Sequence, residues 1–217
     1  MGEITVSCVW QGDKYPRHYV DRLRNMVARH LPVPHRFVCF SDRPDAYWPG
    51  IDTLLTDKLD LPGWWGKMCA FLPLWPGRRL YFDLDTVIAG DLSPLAEWDG
   101  GFGICGNFTR AAGNAAYPCR YGSCVMTFPN RWGMDVWRAF REQQPELMER
   151  CERYGDQQAI EALVPEATLL QDVMPPGYFL GYRDLTERRP DGCAVVVFAG
   201  SHKPDNCAVP WIHEAWR

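Results

Sequence analysis

The chain has 217 residues, 47% of them hydrophobic and 23% charged, which suits one well-packed soluble domain and excludes a disordered or fibrous protein. Its net charge is −4 and no block of lysine or arginine stands out, so the footprint of a nucleic-acid binder is excluded. An anionic ligand would need a metal ion or a local basic group. The ten tryptophans fit core packing first, and offer flat faces for sugar rings or bases second.

Nine cysteines form no Cys-x-x-Cys, are odd in number, and several sit in apolar strand-like runs. They read as free buried thiols in a reducing cytosol, not as a disulfide framework or a zinc site. In that compartment Asn107-Phe108-Thr109 carries no glycan. A basic region with an apolar core is absent ahead of the first strand, and no apolar run approaches about 18 residues. A cytoplasmic protein without a transmembrane segment is expected.

Residues 3–10 alternate, carry β-branched side chains and predict a first strand. After the Gln11-Gly12-Asp13 turn, Pro16 suits a first helical turn. Tyr19, Val20, Leu23, Met26, Val27 and Leu31 then recur at the spacing of an amphipathic helix lying on a sheet. Pro32 and Pro34 end it. Residues 35–40 predict a second strand, closed by Ser41-Asp42-Arg43-Pro44, and 51–55 a short third. Strand, helix, strand, loop, strand is an α/β opening with parallel pairing expected.

The pattern breaks at Pro62-Gly63-Trp64-Trp65-Gly66, and a short helix is predicted over 67–74 before Pro76-Gly77. Residues 79–82 predict a fourth strand, which delivers Asp83-Leu84-Asp85 at its carboxyl end, where open α/β sheets gather ligands. Residues 100–107 and 122–128 read as further strands. A helix over 132–151, with Trp137, Phe140, Leu147 and Met148 on one face, should kink or split at Pro145. Another helical piece covers 155–163, then short strands at 178–180 and 193–198 lead to a polar tail with His and Trp. With no repeat, low-complexity tract or linker, one domain over 1–217 is expected.

Two carboxylates two residues apart, just past a buried strand, form the sharpest chemical feature. If the strand continues, both point the same way and repel. A divalent cation between them would resolve this, since Mg²⁺ or Mn²⁺ takes one or two carboxylates plus substrate phosphates. The plainer alternative is that each caps a turn or pairs with Arg78 or Arg79. Phe82-Asp83-Leu84-Asp85-Thr86-Val87 also fits the first motif of haloacid-dehalogenase-like phosphohydrolases, with Asp83 as nucleophile and Asp85 as acid/base. That motif normally sits on a first strand, and no later acidic pair for Mg²⁺ is evident.

The longer pattern from Leu80 to Leu95, Leu-Tyr-Phe-Asp-Leu-Asp-Thr-Val-Ile-Ala-Gly-Asp-Leu-Ser-Pro-Leu, resembles the metal-binding segment of GT-A glycosyltransferases. The resemblance is to the glycogenin-like and lipopolysaccharide-galactosyltransferase-like retaining group. It implies a single GT-A (Rossmann-like) domain with a mixed, mostly parallel sheet flanked by helices. About residues 1–95 would be the nucleotide-binding half and about 96–217 the acceptor and closing half. It further implies that Asp83 and Asp85 hold Mn²⁺ or Mg²⁺ and the diphosphate of a nucleoside-diphosphate sugar, UDP-linked in the family's usual case. Lys67, in Gly63-Trp64-Trp65-Gly66-Lys67, falls where such enzymes carry a basic residue facing the donor; otherwise it is a solvated lysine at a helix start.

Other stretches follow the family's order. Tyr121-Gly122-Ser123-Cys124-Val125-Met126 resembles its Asn-Ser-Gly strand, with Gly122 in place of Asn. Gly155-Asp156-Gln157 resembles its Asp-Gln pair, Asp156 to bond sugar hydroxyls and Gln157 to face the developing oxocarbenium ion; the alternative is a helix cap at Asp156. Val197-Phe198-Ala199-Gly200-Ser201-His202-Lys203-Pro204 resembles its closing motif, with Lys203 on the diphosphate. The motif's metal-binding His is Val197 here, so His202, or less directly His213, is the candidate third ligand. Asp13 and Asp42 are candidates for nucleotide contacts. Such an enzyme moves a hexose to a glycan, lipid-linked or protein acceptor. With retention the departing phosphate takes the acceptor proton; with inversion Asp156 would be the base. A third possibility is a GT-A-like domain that binds nucleotide or glycan without turnover.

Overall fold

The computed structural model describes residues 3–111 and 117–217. Strand β1 (Ile4–Trp10) leads through a turn into α1 (His18–His30), whose inner face carries Tyr19, Val20, Leu23, Met26 and Val27, the predicted stripe. Strands β2 (His35–Ser41) and β3 (Asp52–Leu55) follow as expected. The helix expected over 67–74 differs: it is a 3-10 helix spanning Gly63–Phe71. Pro73 lacks the N–H that would carry it on to Leu74, and Gly66 is pressed against the Gln11 side chain.

After β4 (Arg78–Phe82) come β5 (Val87–Ile88), α2 (Ser93–Glu97), β6 (Gly103–Gly106) and α3 (Phe108–Ala111). Strand β7 (Tyr121–Pro129) runs into α4 (Asn130–Glu142) and α5 (Gln144–Arg150). The expected split is there, with Pro145 in the first turn of α5, where its missing N–H breaks no helical bond. Then follow α6 (Asp156–Leu163), β8 (Thr168–Leu169), α7 (Leu170–Val173), β9 (Phe179–Gly181), β10 (Val195–Val197) and α8 (Pro210–Ala215).

Seven strands form a mixed sheet in the order β3-β2-β1-β4-β7-β6-β8, and β5-β10-β9 form a small second sheet. Every pairing in the large sheet is parallel except those of β7, which runs antiparallel to both β4 and β6. Alternation along the strands divides the core between the two faces. Leu80 and Phe82 join the α1 stripe and the small sheet, while Tyr81 joins Met68 and Phe71 of the 3-10 helix with Phe128 and Phe140. The nine cysteines are unbridged and all but the half-buried Cys207 are buried. No described helix is long and apolar enough to cross a membrane.

Candidate active site

Strand β4 ends at Phe82, and Asp83-Leu84-Asp85 forms the turn that joins it to β5. The turn is pinned by two backbone bonds: the Asp83 N–H donates to the Cys124 carbonyl at 2.8 Å, and the Thr86 N–H to the Asp83 carbonyl at 3.0 Å. The strand does not continue through the pair, so the carboxylates are not forced into one place. Each finds its own lysine instead. Lys67, from the 3-10 helix, lies 3.0 Å from Asp83 Oδ1 and 3.1 Å from Asp156 Oδ2, and donates to Ser123 Oγ at 2.9 Å. Lys203, in the loop after β10, donates to Asp85 Oδ2 at 2.6 Å. Repulsion alone therefore does not demand a metal between the two.

Two phenols complete the arrangement. Tyr81, two residues before Asp83 on the same side of the strand, donates to Asp83 Oδ1 at 2.8 Å, and Tyr15 donates to Asp85 Oδ2 at 2.8 Å. Burial, then the neighbouring carboxylates, push both hydroxyls above the usual tyrosine value, so they stay protonated donors. Burial works to lower Lys67, but Asp156 and Asp83 outweigh it and hold the ammonium above its ordinary value. The arginines offered as alternative partners are engaged elsewhere. Arg79 donates to the Ala70 and Trp75 carbonyls at 3.1 Å and to Asn130 at 2.7 Å, and Arg78 to the Gly100 carbonyl at 2.9 Å.

The aspartate turn forms the junction of two adjoining hollows at the carboxyl ends of β1 and β4. One, of about 420 Å³, is lined by the β1 loop residues Gln11, Gly12 and Asp13 and by Tyr81. The other, of about 400 Å³, takes in Asp85, Ser123, Asp156, Gln157 and Lys203. Lys14, Tyr15, Trp64, Lys67 and Asp83 line both. The second hollow sets Lys14, Lys67, Arg153 and Lys203 against Asp83, Asp85 and Asp156, a local excess of one positive charge in an acidic chain. A larger hollow of about 620 Å³ lies at the opposite end of the sheet, where Arg36 pairs with Glu3 and Asp52. None of the candidate groups lies there.

Asp156 is the first residue of α6 and is buried between Lys67 and Ser123; the cap position is Gly155, so Asp156 does not cap the helix. Gln157 lines the cleft and its amide donates to the Tyr117 hydroxyl at 2.6 Å. Asp13 lines the first hollow but is exposed and pairs with Arg43. Asp42 accepts the Gly12 N–H at 3.1 Å and so holds the β1 loop.

His202 is not brought to the aspartate pair. It is exposed, and its ring stacks on Tyr182 with centroids 4.4 Å apart. His213, the other substitute, meets the Cys207 carbonyl at 2.6 Å. Among the described residues, no group of three His, Cys, Asp or Glu side chains stands ready for a metal. A ligand set of Asp83 and Asp85 completed by phosphate oxygens and water still fits a hard cation, because both donors are carboxylates on the floor of a cleft that basic side chains prepare for an anion. Tyr15, Tyr81 and Ser123 were not singled out by the sequence, although the two-residue spacing of Tyr81 and Asp83 carried the signal for one of them.

No protein-family model and no curated protein matches the sequence. Solved structures do. The galactosyltransferase LgtC in complex with donor and acceptor sugar analogs aligns over 97% of this chain and 93% of its own, at a TM-score of 0.68 and 14% identity. An active-site Gln→Glu mutant of LgtC aligns over 97% and 94%, at 0.68 and 13% identity. The apo glycosyltransferase GlyE of Streptococcus pneumoniae TIGR4 reaches 0.69 at 15% identity over 99% of this chain, which spans 60% of GlyE. The chain has the GT-A glycosyltransferase fold. In this GT-A frame the aspartate turn closes the fourth strand of the large sheet. The haloacid-dehalogenase-like alternative, whose motif normally sits on a first strand, is disfavoured by this fold.

Proposed function

We propose that the protein is a metal-dependent glycosyltransferase that moves a hexose from a nucleoside-diphosphate sugar, UDP-linked, to an acceptor in the cytoplasm with retention of configuration. The observation that carries the reading is the pairing of Lys67 and Lys203 with Asp83 and Asp85 on the floor of the cleft, in a fold shared with glycosyltransferases. Asp83 and Asp85 would hold Mn²⁺ or Mg²⁺, which when bound offsets negative charge on the diphosphate leaving group. Lys203 and Lys67 supply fixed positive charge beside it, in a site that needs no rearrangement of solvent as the bond breaks. Asp13, with Lys14, borders the hollow suited to the nucleoside.

Asp156 is engaged by Lys67 and Ser123 through Oδ2. That suits a carboxylate that accepts bonds from sugar hydroxyls better than a base that must take a proton, and it supports retention over inversion. Gln157, anchored by Tyr117, keeps its carbonyl oxygen for positive charge developing on the sugar. The existence of an active-site Gln→Glu mutant of LgtC is in keeping with a Gln at such a position.

The reading is tested by incubating the protein with UDP-glucose, UDP-galactose and GDP-mannose plus Mn²⁺, with water and added glycosides and lactose as acceptors of the hexose, and measuring release of nucleoside diphosphate. Release from one donor, abolished by chelation and by Asp83→Asn, is expected. Binding without release would favour the non-catalytic reading, which has Val197 at the closing-motif His position in its favour. Asp83-dependent phosphate release from p-nitrophenyl phosphate, with no donor turned over, would overturn the transferase reading.

A further inference from the structure

Trp64 is the one exposed tryptophan of the ten, at 55%. It borders both hollows and stands outside the charged floor: the Lys67 and Asp83 side chains beneath are 12% and 28% exposed. The indole is also held in place. A Cβ at Gly155 would lie 2.5 Å from Trp64 Nε1, 2.6 Å from Cδ1 and 2.8 Å from Cε2, so the five-membered ring rests directly on the Gly155 backbone. Gly155 has φ +62°, a conformation open to glycine, and it immediately precedes Asp156. The sequence thus keeps one position free of a side chain so that an aromatic plane can sit beside Asp156 and Gln157. Next to it, Tyr154 packs edge-on against Tyr117, which anchors Gln157.

A solvent-exposed aromatic plane fixed at the rim of a polar cleft is a recognition surface rather than core packing. We infer that Trp64 is the stacking platform for a pyranose ring of the acceptor, which makes the acceptor a glycan. This rests on the donor reading above. The charged diphosphate belongs on the lysine–aspartate floor, and the nucleoside in the hollow by the β1 loop. Trp64 also lines the hollow of Asp156 and Gln157, and there the apolar C–H face of a sugar covers the indole while its hydroxyls turn toward those two side chains. A simple alcohol acceptor has no ring face to offer there.

The test separates donor from acceptor. Affinity for UDP with Mn²⁺ is measured calorimetrically for the wild type, Trp64→Ala and Trp64→Phe. Binding of methyl α-glucoside, methyl β-galactoside and lactose to each UDP-loaded protein is then read by saturation-transfer NMR, with glycerol as a polyol lacking a ring. The expected result is UDP affinity within about twofold in all three proteins, saturation on glycoside ring protons in wild type and Trp64→Phe, and its loss in Trp64→Ala. Three results overturn the inference while leaving the donor reading intact: equal glycoside binding by wild type and Trp64→Ala, saturation of glycerol as strong as of the glycosides, or no glycoside binding by UDP-loaded wild type. A tenfold or greater loss of UDP affinity in Trp64→Ala would instead assign the indole to the donor. UDP failing to bind the wild type would bring down the donor reading itself, and this inference with it.

Discussion

Lys67→Met removes the one cation shared by Asp83 and Asp156 and leaves two carboxylates in place. Breaking a buried ion pair by deleting one partner costs about 3–5 kcal/mol, because the remaining charge stays desolvated. Most of that falls on Asp156, whose side chain is 9% exposed; Asp83 is 28% exposed and keeps the Tyr81 hydroxyl. For a chain of this size each kcal/mol moves the melting temperature by roughly 2–4 °C, so a fall of roughly 6–20 °C is expected by scanning calorimetry. Adding Asp156→Asn should recover about half of the loss or more, since the uncompensated charge is then gone. The pH profile carries a second signature. Because its partners hold the Lys67 ammonium above its ordinary value of 10.5, its stabilisation is complete below that pH and is lost as pH rises through the folded value. The gap in stability between wild type and Lys67→Met should therefore stay level from about pH 7 to 10 and narrow only above. A melting temperature within about 2 °C of wild type, or no recovery in the double variant, would refute the reasoning.

Asp85→Asn weakens the contacts of Lys203 and Tyr15 and removes a proposed metal ligand; transfer should fall on the order of 10²–10³-fold, measured by nucleoside diphosphate release, with the fold retained by circular dichroism. Gly77→Ala is the structural counterpart away from the cleft. Its φ is +85° and a Cβ would lie 1.9 Å from the Glu3 carbonyl oxygen, which is backbone and cannot swing aside. A loss of roughly 1–3 kcal/mol in urea denaturation is expected, with nucleotide affinity of the folded protein unchanged.

The parts of this fold legible in the sequence are those whose pattern is local. The alternation of β1, the stripe of α1 and the proline inside the α4–α5 segment follow from period and backbone chemistry, which act within a few residues. The 3-10 helix at Gly63–Phe71 was misread because its glycines and aromatics answer to tertiary neighbours, Gln11 among them. Short helices such as α2, α7 and α8 carry too few turns to show a period. At the site, the aspartate pair was visible as a motif, but its electrostatics were not. Lys203 meets Asp85 across 118 residues of sequence and Ser123 meets Asp156 across 33, and no spacing rule reaches that far. The same limit explains His202: the closing motif, with Val197 in place of its His, suggested it as a substitute ligand, while its ring lies on Tyr182.

The most direct test of the donor site is the melting temperature of the protein with UDP, GDP and their hexose derivatives, each with and without Mn²⁺, and again after chelation. A ligand that binds only the folded chain raises the midpoint by mass action, about 2.7 kcal/mol of stability at a hundredfold excess over its dissociation constant. The account predicts a shift that needs both a nucleotide and Mn²⁺, is reversed by chelation, and disappears in Asp83→Ala and Asp85→Ala. A folded protein whose midpoint moves with no nucleotide, or moves equally in those variants, would contradict it.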